Sequence, residues 1–355
     1  MAAQKILLMG ASYGSLLASK ILFGGHSVHL VCLPAEADLI NAEGFRVFMP
    51  IRGREGRVTI DSRKLPGKVT AGGAAGVNPA DYDLVGLAMQ EPQYRSPGVR
   101  ELLDAVAKSK RPCMSIMNMP PLPYVKRIPG LDYEALKPAY TDPTVWDSFD
   151  PGLVTLCSPD PQAIRPPGEK INVLQVTLPT NFKVARFESD KDTAILRQME
   201  RDIDAARYNP GDGELQLPVK LRVHDSIFVP LAKWAMLLTG NYRCVTADGA
   251  IDIKDAVHGD VEKSRGVYNW VLSVCERIGA ARDDLVPFEK YAAAANDLVR
   301  PSSAARALNN GVPNIERTDR LVQLIGAQYG MRHPVVDATV ALVDERLARN
   351  RKAAA

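Results

Sequence analysis

Residues 5–20, KILLMGASYGSLLASK, constrain most strongly what this chain can fold into. A short apolar run, Ile6 to Met9, stops at Gly10, and an amphipathic stretch follows as far as Gly24-Gly25, where glycine lets a helix close in the left-handed conformation. Ser27-Val28-His29-Leu30-Val31-Cys32-Leu33 then reads as a second strand. Strand, glycine turn, helix and strand within about thirty residues form the first unit of a doubly wound dinucleotide-binding sheet, with helix-start amides facing a pyrophosphate. The spacing departs from G-x-G-x-x-G, since the chain offers Gly10-Ala11-Ser12-Tyr13-Gly14-Ser15. Either Ser12 and Ser15 replace the second and third glycines, or one residue is deleted and Gly14 takes the helix-packing place; small residues satisfy close approach in both registers. A secretory signal shares the pattern of Lys5 plus an apolar run, but here the run carries Lys20 and flows directly into another strand. Gly10, Ser12, Tyr13, Gly14 and Ser15 are therefore the candidate cofactor-binding residues of the turn.

At the end of that second strand an Asp or Glu would bind the ribose of NAD, and an Arg the extra phosphate of NADP. The chain has Cys32-Leu33-Pro34-Ala35-Glu36 there, with Glu36 late by a few residues. A short helix over 37–43 leads to a hairpin of 45–48 and 57–60. Residues 83–89 read as a buried strand followed by Gln90-Glu91-Pro92, and 112–117 as another ending at Asn118. Ligands of open α/β sheets sit outside strand carboxyl ends, which makes Gln90 and Asn118 candidates; a solvated loop glutamine and a turn-forming asparagine are the plainer alternatives. Segments 153–156 and 171–178 look like strands, 182–187 like an edge strand, and 190–206 like a helix capped by Ser189 or Asp190. After a turn at 210–213 and a stretch over 215–223, segments 225–238, 260–278, 287–299, 314–329 and 334–349 fit helical periodicity. The expected organisation is a Rossmann-type α/β domain over 1–218 followed by an all-helical domain over 219–355, with 351–355 a frayed tail.

Length and composition agree with two soluble globular domains: 355 residues, 46% hydrophobic and 24% charged. A net charge of +3 is too small to imply a nucleic-acid surface, and no apolar stretch is long enough to span a bilayer. The five cysteines lack C-x-x-C spacing and read as reduced thiols of a cytoplasmic protein. His26, His29, His224, His258 and His333 stand in no metal-ligand spacing, and no G-x-S-x-G elbow occurs.

Chemistry centres on Lys233, alone in an apolar helical run. It is either a snorkelling surface lysine or an ammonium held for proton donation. Asn241 follows on the same helix, and at about 100° per residue the two project about 80° apart. Asp225, ahead of the helix, is expected to cap it.

Taken together, KILLMGASYGSLLASK, GHSVHLV, DLVGLAM, a strand ending in Asn118, and PLAKWAMLLTGN resemble the ketopantoate reductase family and its wider 2-oxoacid reductase homologues. Arg300-Pro301-Ser302-Ser303 and Asn314-Ile315-Glu316-Arg317-Thr318-Asp319 resemble that family's serine pair and glutamate-bearing helix start. The resemblance implies a helical domain like that of 6-phosphogluconate dehydrogenase, a homodimer, and NADP as cofactor with NAD as the other option. It implies Lys233 as general acid, Glu316 as the site glutamate (or Asn314, if no gap is opened), Asn118 between nicotinamide and substrate, and Asn241 with Ser302 or Ser303 as substrate-binding residues. Three positions differ from the family pattern: Leu237 stands for the first substrate asparagine, Gln90 for a cofactor lysine and Leu33 for the phosphate-reading arginine. The segment between Asn118 and Lys233 is longer than usual, leaving YTDPTVW (140–146) unassigned. Loss of a buried polar partner alters discrimination, which argues against ketopantoate itself. The leading expectation is an NAD(P)H-dependent reductase of a 2-oxo acid or related imine. An opine-type dehydrogenase and a non-catalytic nucleotide-binding protein are the alternatives.

Overall fold

A computed structural model of the protein describes residues 2–211 and 213–354. The chain divides into two compact units: one takes the chain up to Met89 with Gln93–Met117 and Val145–Asp225, the other Gln90–Pro92, Asn118–Thr144 and Ser226 onward.

The first unit is built on two sheets. Its strands are β1 (Lys5–Met9), β2 (Ser27–Val31), β3 (Arg46–Pro50), β4 (Arg57–Asp61), β5 (Val69–Gly72), β6 (Leu84–Leu87), β7 (Cys113–Ile116), β8 (Val154–Ser158), β9 (Gln162–Ile164), β10 (Val173–Leu178), β11 (Phe182–Ala185) and β12 (Leu221–His224). The larger sheet runs β12-β11-β8-β7-β6-β1-β2-β5, parallel except where β11 meets β8. Strand β1 lies between β2 and β6, and Ile6 to Met9 are wholly buried. A parallel strand covered on both faces reads as an unbroken apolar run, which is why this one has no alternation. From β1 the chain steps outward through β2 to β5 and returns to β6 on the other side of β1, placing the topological switch between β1 and β6. Helices α1 (Gly14–Phe23), α2 (Pro34–Glu43) and α3 (Val99–Ser109) connect these strands. Every residue of α1 is buried, including Lys20, whose Nζ donates to the Pro218 carbonyl at 2.7 Å.

The smaller sheet, β4-β3-β10-β9, contains the expected 45–60 hairpin as β3 and β4. Three local expectations are corrected. Segment 182–187 is not an edge, because β12 pairs with β11 on its far side. Asp225 caps no helix: its carboxylate accepts from Arg197 Nη2 at 2.9 Å, and helical winding starts only at Val229. The tail is not frayed up to Ala354, since the last helix, Pro334–Ala354, carries it, with Arg351 donating to the Pro313 carbonyl and to Asn314.

The second unit is helical, with Leu122–Val125, Ile253–His258, Val261–Arg277, Phe288–Ala295, Ser303–Asn309, Thr318–Gln328 and Pro334–Ala354 as its α-helices beyond the lysine helix among the described residues. Among the described residues no helix is long and apolar enough to cross a membrane.

Candidate functional site

In the first unit the glycine turn sits at the switch point. Gly10 has φ 109°, its N–H donates to the Val31 carbonyl at 2.8 Å, and a Cβ there would stand 2.8 Å from the Ala88 carbonyl oxygen. Only glycine meets both conditions. Gly14 opens α1, and a Cβ on it would meet the Ala88 methyl, just beyond β6, at 3.4 Å, an ordinary packing contact. Ser15 is buried, with Oγ donating to the Ala11 carbonyl. Tyr13 is also spent inside the fold: its ring meets Phe182 edge-on at 5.9 Å and its hydroxyl donates to the Pro161 carbonyl. Burial holds that phenol well above its usual range. Ser12 alone of the turn's side chains is exposed. At the start of α1 the Ser15 and Leu16 amides donate to the Ala11 and Tyr13 carbonyls, at 2.9 and 3.1 Å, so an anionic diphosphate would meet the helix's N-terminal dipole at the turn itself.

In the second unit the lysine helix changes its winding twice. Val229–Ala232 is 3-10, Lys233–Met236 is α, and Leu237–Asn241 is a π-turn closed by Tyr242 N–H donating to the Leu237 carbonyl at 3.0 Å. A π-turn holds more residues per turn, so Asn241 rotates toward the Lys233 side and the about 80° gap of a regular helix narrows. The Tyr291 hydroxyl donates to the Met236 carbonyl at 3.1 Å and supports the widened turn. A Cβ on Gly240 would lie 2.1 Å from that hydroxyl. Gly240→Ala is expected to lower stability by about 1–3 kcal/mol through overpacking, measured by urea unfolding; an unchanged midpoint would remove the steric argument.

The π-turn lines a cavity together with Gln90, Asn118, Tyr242, Ser303, Ala304, Ala307, Ile315 and Glu316; Leu237 and Asn241 are its contributions. Glu316 is buried, accepting from the Glu91 N–H at 3.3 Å and from Asn118 Nδ2 at 3.4 Å. Burial pushes its carboxyl up to about 7, and the Glu91 carboxylate adds to the rise; the two hydrogen bonds and the Lys233 ammonium oppose it. Lys233 is half-buried and does not line the cavity, but its charge acts on Glu316. Asn118 Oδ1 is buried with no hydrogen-bond partner among the described residues.

The predicted residues Gln90, Asn118, Asn241, Ser303 and Glu316 thus converge. Ser302 does not join them: it caps Ser303–Asn309, accepting from Ala305 N–H, and donates to the Asn241 carbonyl at 2.6 Å. Asn314 accepts from Arg351, so Glu316 is the residue that reaches the cavity. Two groups escaped sequence reasoning. The buried Glu91 carboxylate accepts from Thr141 N–H at 3.0 Å and Thr141 Oγ1 at 2.8 Å. The Tyr242 hydroxyl donates to the Glu316 carbonyl and accepts from Thr318 N–H, fixing the approach to the following helix. The unassigned segment 140–146 was the available signal: Tyr140 donates to the Pro120 carbonyl at 2.7 Å, beside the Thr141–Glu91 pair.

This architecture recurs among solved structures. A candidate ketopantoate reductase from Ralstonia solanacearum MolK2 superposes with a TM-score of 0.68 at 16% identity, over 98% of this chain and 99% of that one. Its fold is that of the ketopantoate reductases. The 2-dehydropantoate 2-reductase of Methylococcus capsulatus matches with a TM-score of 0.62 at 14% identity over 98% and 97% of the two chains. A D-mandelate dehydrogenase, solved with NADH and anilino(oxo)acetate, has a TM-score of 0.62 at 14% identity, over 98% and 99%. No protein-family model and no curated protein sequence matches the chain. At these identities the likeness is one of fold.

Proposed function

We propose that this protein is an NAD(P)H-dependent reductase of 2-oxo acids whose side chain is apolar, working as a homodimer. The observation that carries the reading is the meeting of Asn118 and the buried Glu316, hydrogen-bonded to each other through Asn118 Nδ2, at one cavity wall under the charge of Lys233. When bound, the reduced nicotinamide supplies a hydride. Hydride addition to a 2-oxo carbon builds negative charge on the oxygen, and Lys233 stabilises that charge and donates the proton. Glu316, raised to about 7, exchanges protons near neutral pH and is suited to resupply Lys233. Asn118 Nδ2, which gives one N–H to Glu316, keeps a second N–H to orient the reacting carbonyl, while Asn241 and Ser303 bind the carboxylate.

Leu237, Ala304, Ala307 and Ile315 form the cavity's apolar wall. A hydroxylated side chain would lose its hydrogen bonds to water against that wall, whereas a branched or aromatic one would not. In a screen of 2-oxo acids followed by reduced-nicotinamide absorbance, apolar substrates are expected to outrun ketopantoate, and Leu237→Asn to narrow or reverse the order. Amines are added in parallel to detect imine reduction. Absence of turnover with every acid, with and without amines, would remove the reductase reading.

A further inference from the structure

The carboxyl end of β2 carries Cys32 and Leu33, neither of which discriminates between dinucleotides, yet two charges reach that strand end from elsewhere. Glu36 lies in the first turn of α2 and its side chain is 7% exposed. Arg165, immediately after β9, donates from Nη2 to Glu36 Oε1 at 2.5 Å and keeps 37% of its side chain exposed. Burial raises the Cys32 thiol, Glu36 adds to the rise and Arg165 opposes it, so both charges stand near the end of β2. Strand β9 is anchored at its other end as well, where Tyr13 of the glycine turn donates to the Pro161 carbonyl. Residues 161–165 therefore run from the pyrophosphate turn to the end of β2, the path along which the adenosine half of a dinucleotide lies in this kind of sheet. Beside the pair, Leu33 is 71% exposed and offers an apolar shelf.

Exposure decides which charge a ligand meets. The Glu36 carboxylate is buried and occupied, whereas Arg165 engages it through Nη2 and has further N–H donors in the guanidinium fork. A fork pinned on one side by a carboxylate is pre-organised to take a phosphate on the other.

We propose that Arg165, oriented by Glu36, binds the 2′-phosphate of NADPH and takes the role left open by Leu33. This rests on the reading above that the glycine turn holds a nicotinamide dinucleotide. The test is calorimetric titration of the full chain with adenosine 2′,5′-bisphosphate and 5′-AMP, then with NADPH and NADH. Wild type is expected to prefer each 2′-phosphorylated ligand by at least about tenfold, the scale of charge-assisted hydrogen bonds. Arg165→Met is expected to abolish that preference and leave 5′-AMP and NADH affinities unchanged; Arg165→Lys, which keeps the charge without the fork, should retain an intermediate preference. Equal binding of both ligand classes by wild type, or equal losses for both in Arg165→Met, would overturn the assignment while leaving dinucleotide binding intact. Failure of wild type to bind NADPH and NADH alike would overturn the dinucleotide reading and this one with it.

Discussion

Lys233→Ala is expected to lower turnover by about two to three orders of magnitude, the range typical of a lost general acid, with NADPH affinity almost unchanged. Lys233 is half-buried one turn before the π-turn, and its ammonium is close enough to act on the Glu316 carboxyl. A snorkelling lysine would lie in bulk solvent, where water screens its charge from a buried acid. The measurement is steady-state reduction of the best substrate found in the screen, combined with cofactor titration. A fall in kcat with unchanged cofactor affinity assigns the lysine to the chemical step. Wild-type turnover in the variant would return Lys233 to a packing role.

The second large effect concerns stability and its dependence on pH. Burial, reinforced by the Glu91 carboxylate, raises Glu316 from 4.5 to about 7. The folded protein holds this proton across a window in which the unfolded chain has lost it. Its contribution is therefore fully present below the unfolded value and is lost as pH rises through about 7. The gap corresponds to about 3 kcal/mol. Glu316→Gln mimics the protonated acid at every pH, so the variant is expected to gain about that much on wild type between pH values near 5 and 8. Lys20 titrates with the opposite sense, because burial and Lys220 depress it to about 7 and stability recovers as it deprotonates. It is present in both proteins and cancels in their difference. Urea unfolding at the two pH values reads the effect, and a constant difference would show that Glu316 does not hold its proton.

The elements legible in the sequence are those specified by neighbouring residues. Strand β1, Gly10 and α1 follow from an apolar run and a turn, and Gln90 and Asn118 from lying beyond strand ends. What stayed hidden depends on partners far along the chain. The π-turn needs Tyr291 against Met236, and Glu91 needs Thr141, so no local pattern in residues 233–241 or 90–92 announces either. The serine pair could be recognised, but which member faces the cavity follows from Ser302 being tied to the Asn241 carbonyl. Segment 182–187 likewise read as an edge because the partner that covers it, β12, arrives only after a helix and a turn.

The parallel pairing of β3 with β10 has a consequence for synthesis. Lys170, just ahead of β10, meets Glu43 127 residues earlier in the chain, and Asn172 bonds the Gly44 carbonyl. At about 5–20 residues per second of elongation, the β3–β4 hairpin waits many seconds on the ribosome before its neighbour emerges. During that interval the exposed edge of β3 invites pairing with another nascent chain, so the vulnerable species in cells is the half-made polypeptide rather than the finished one.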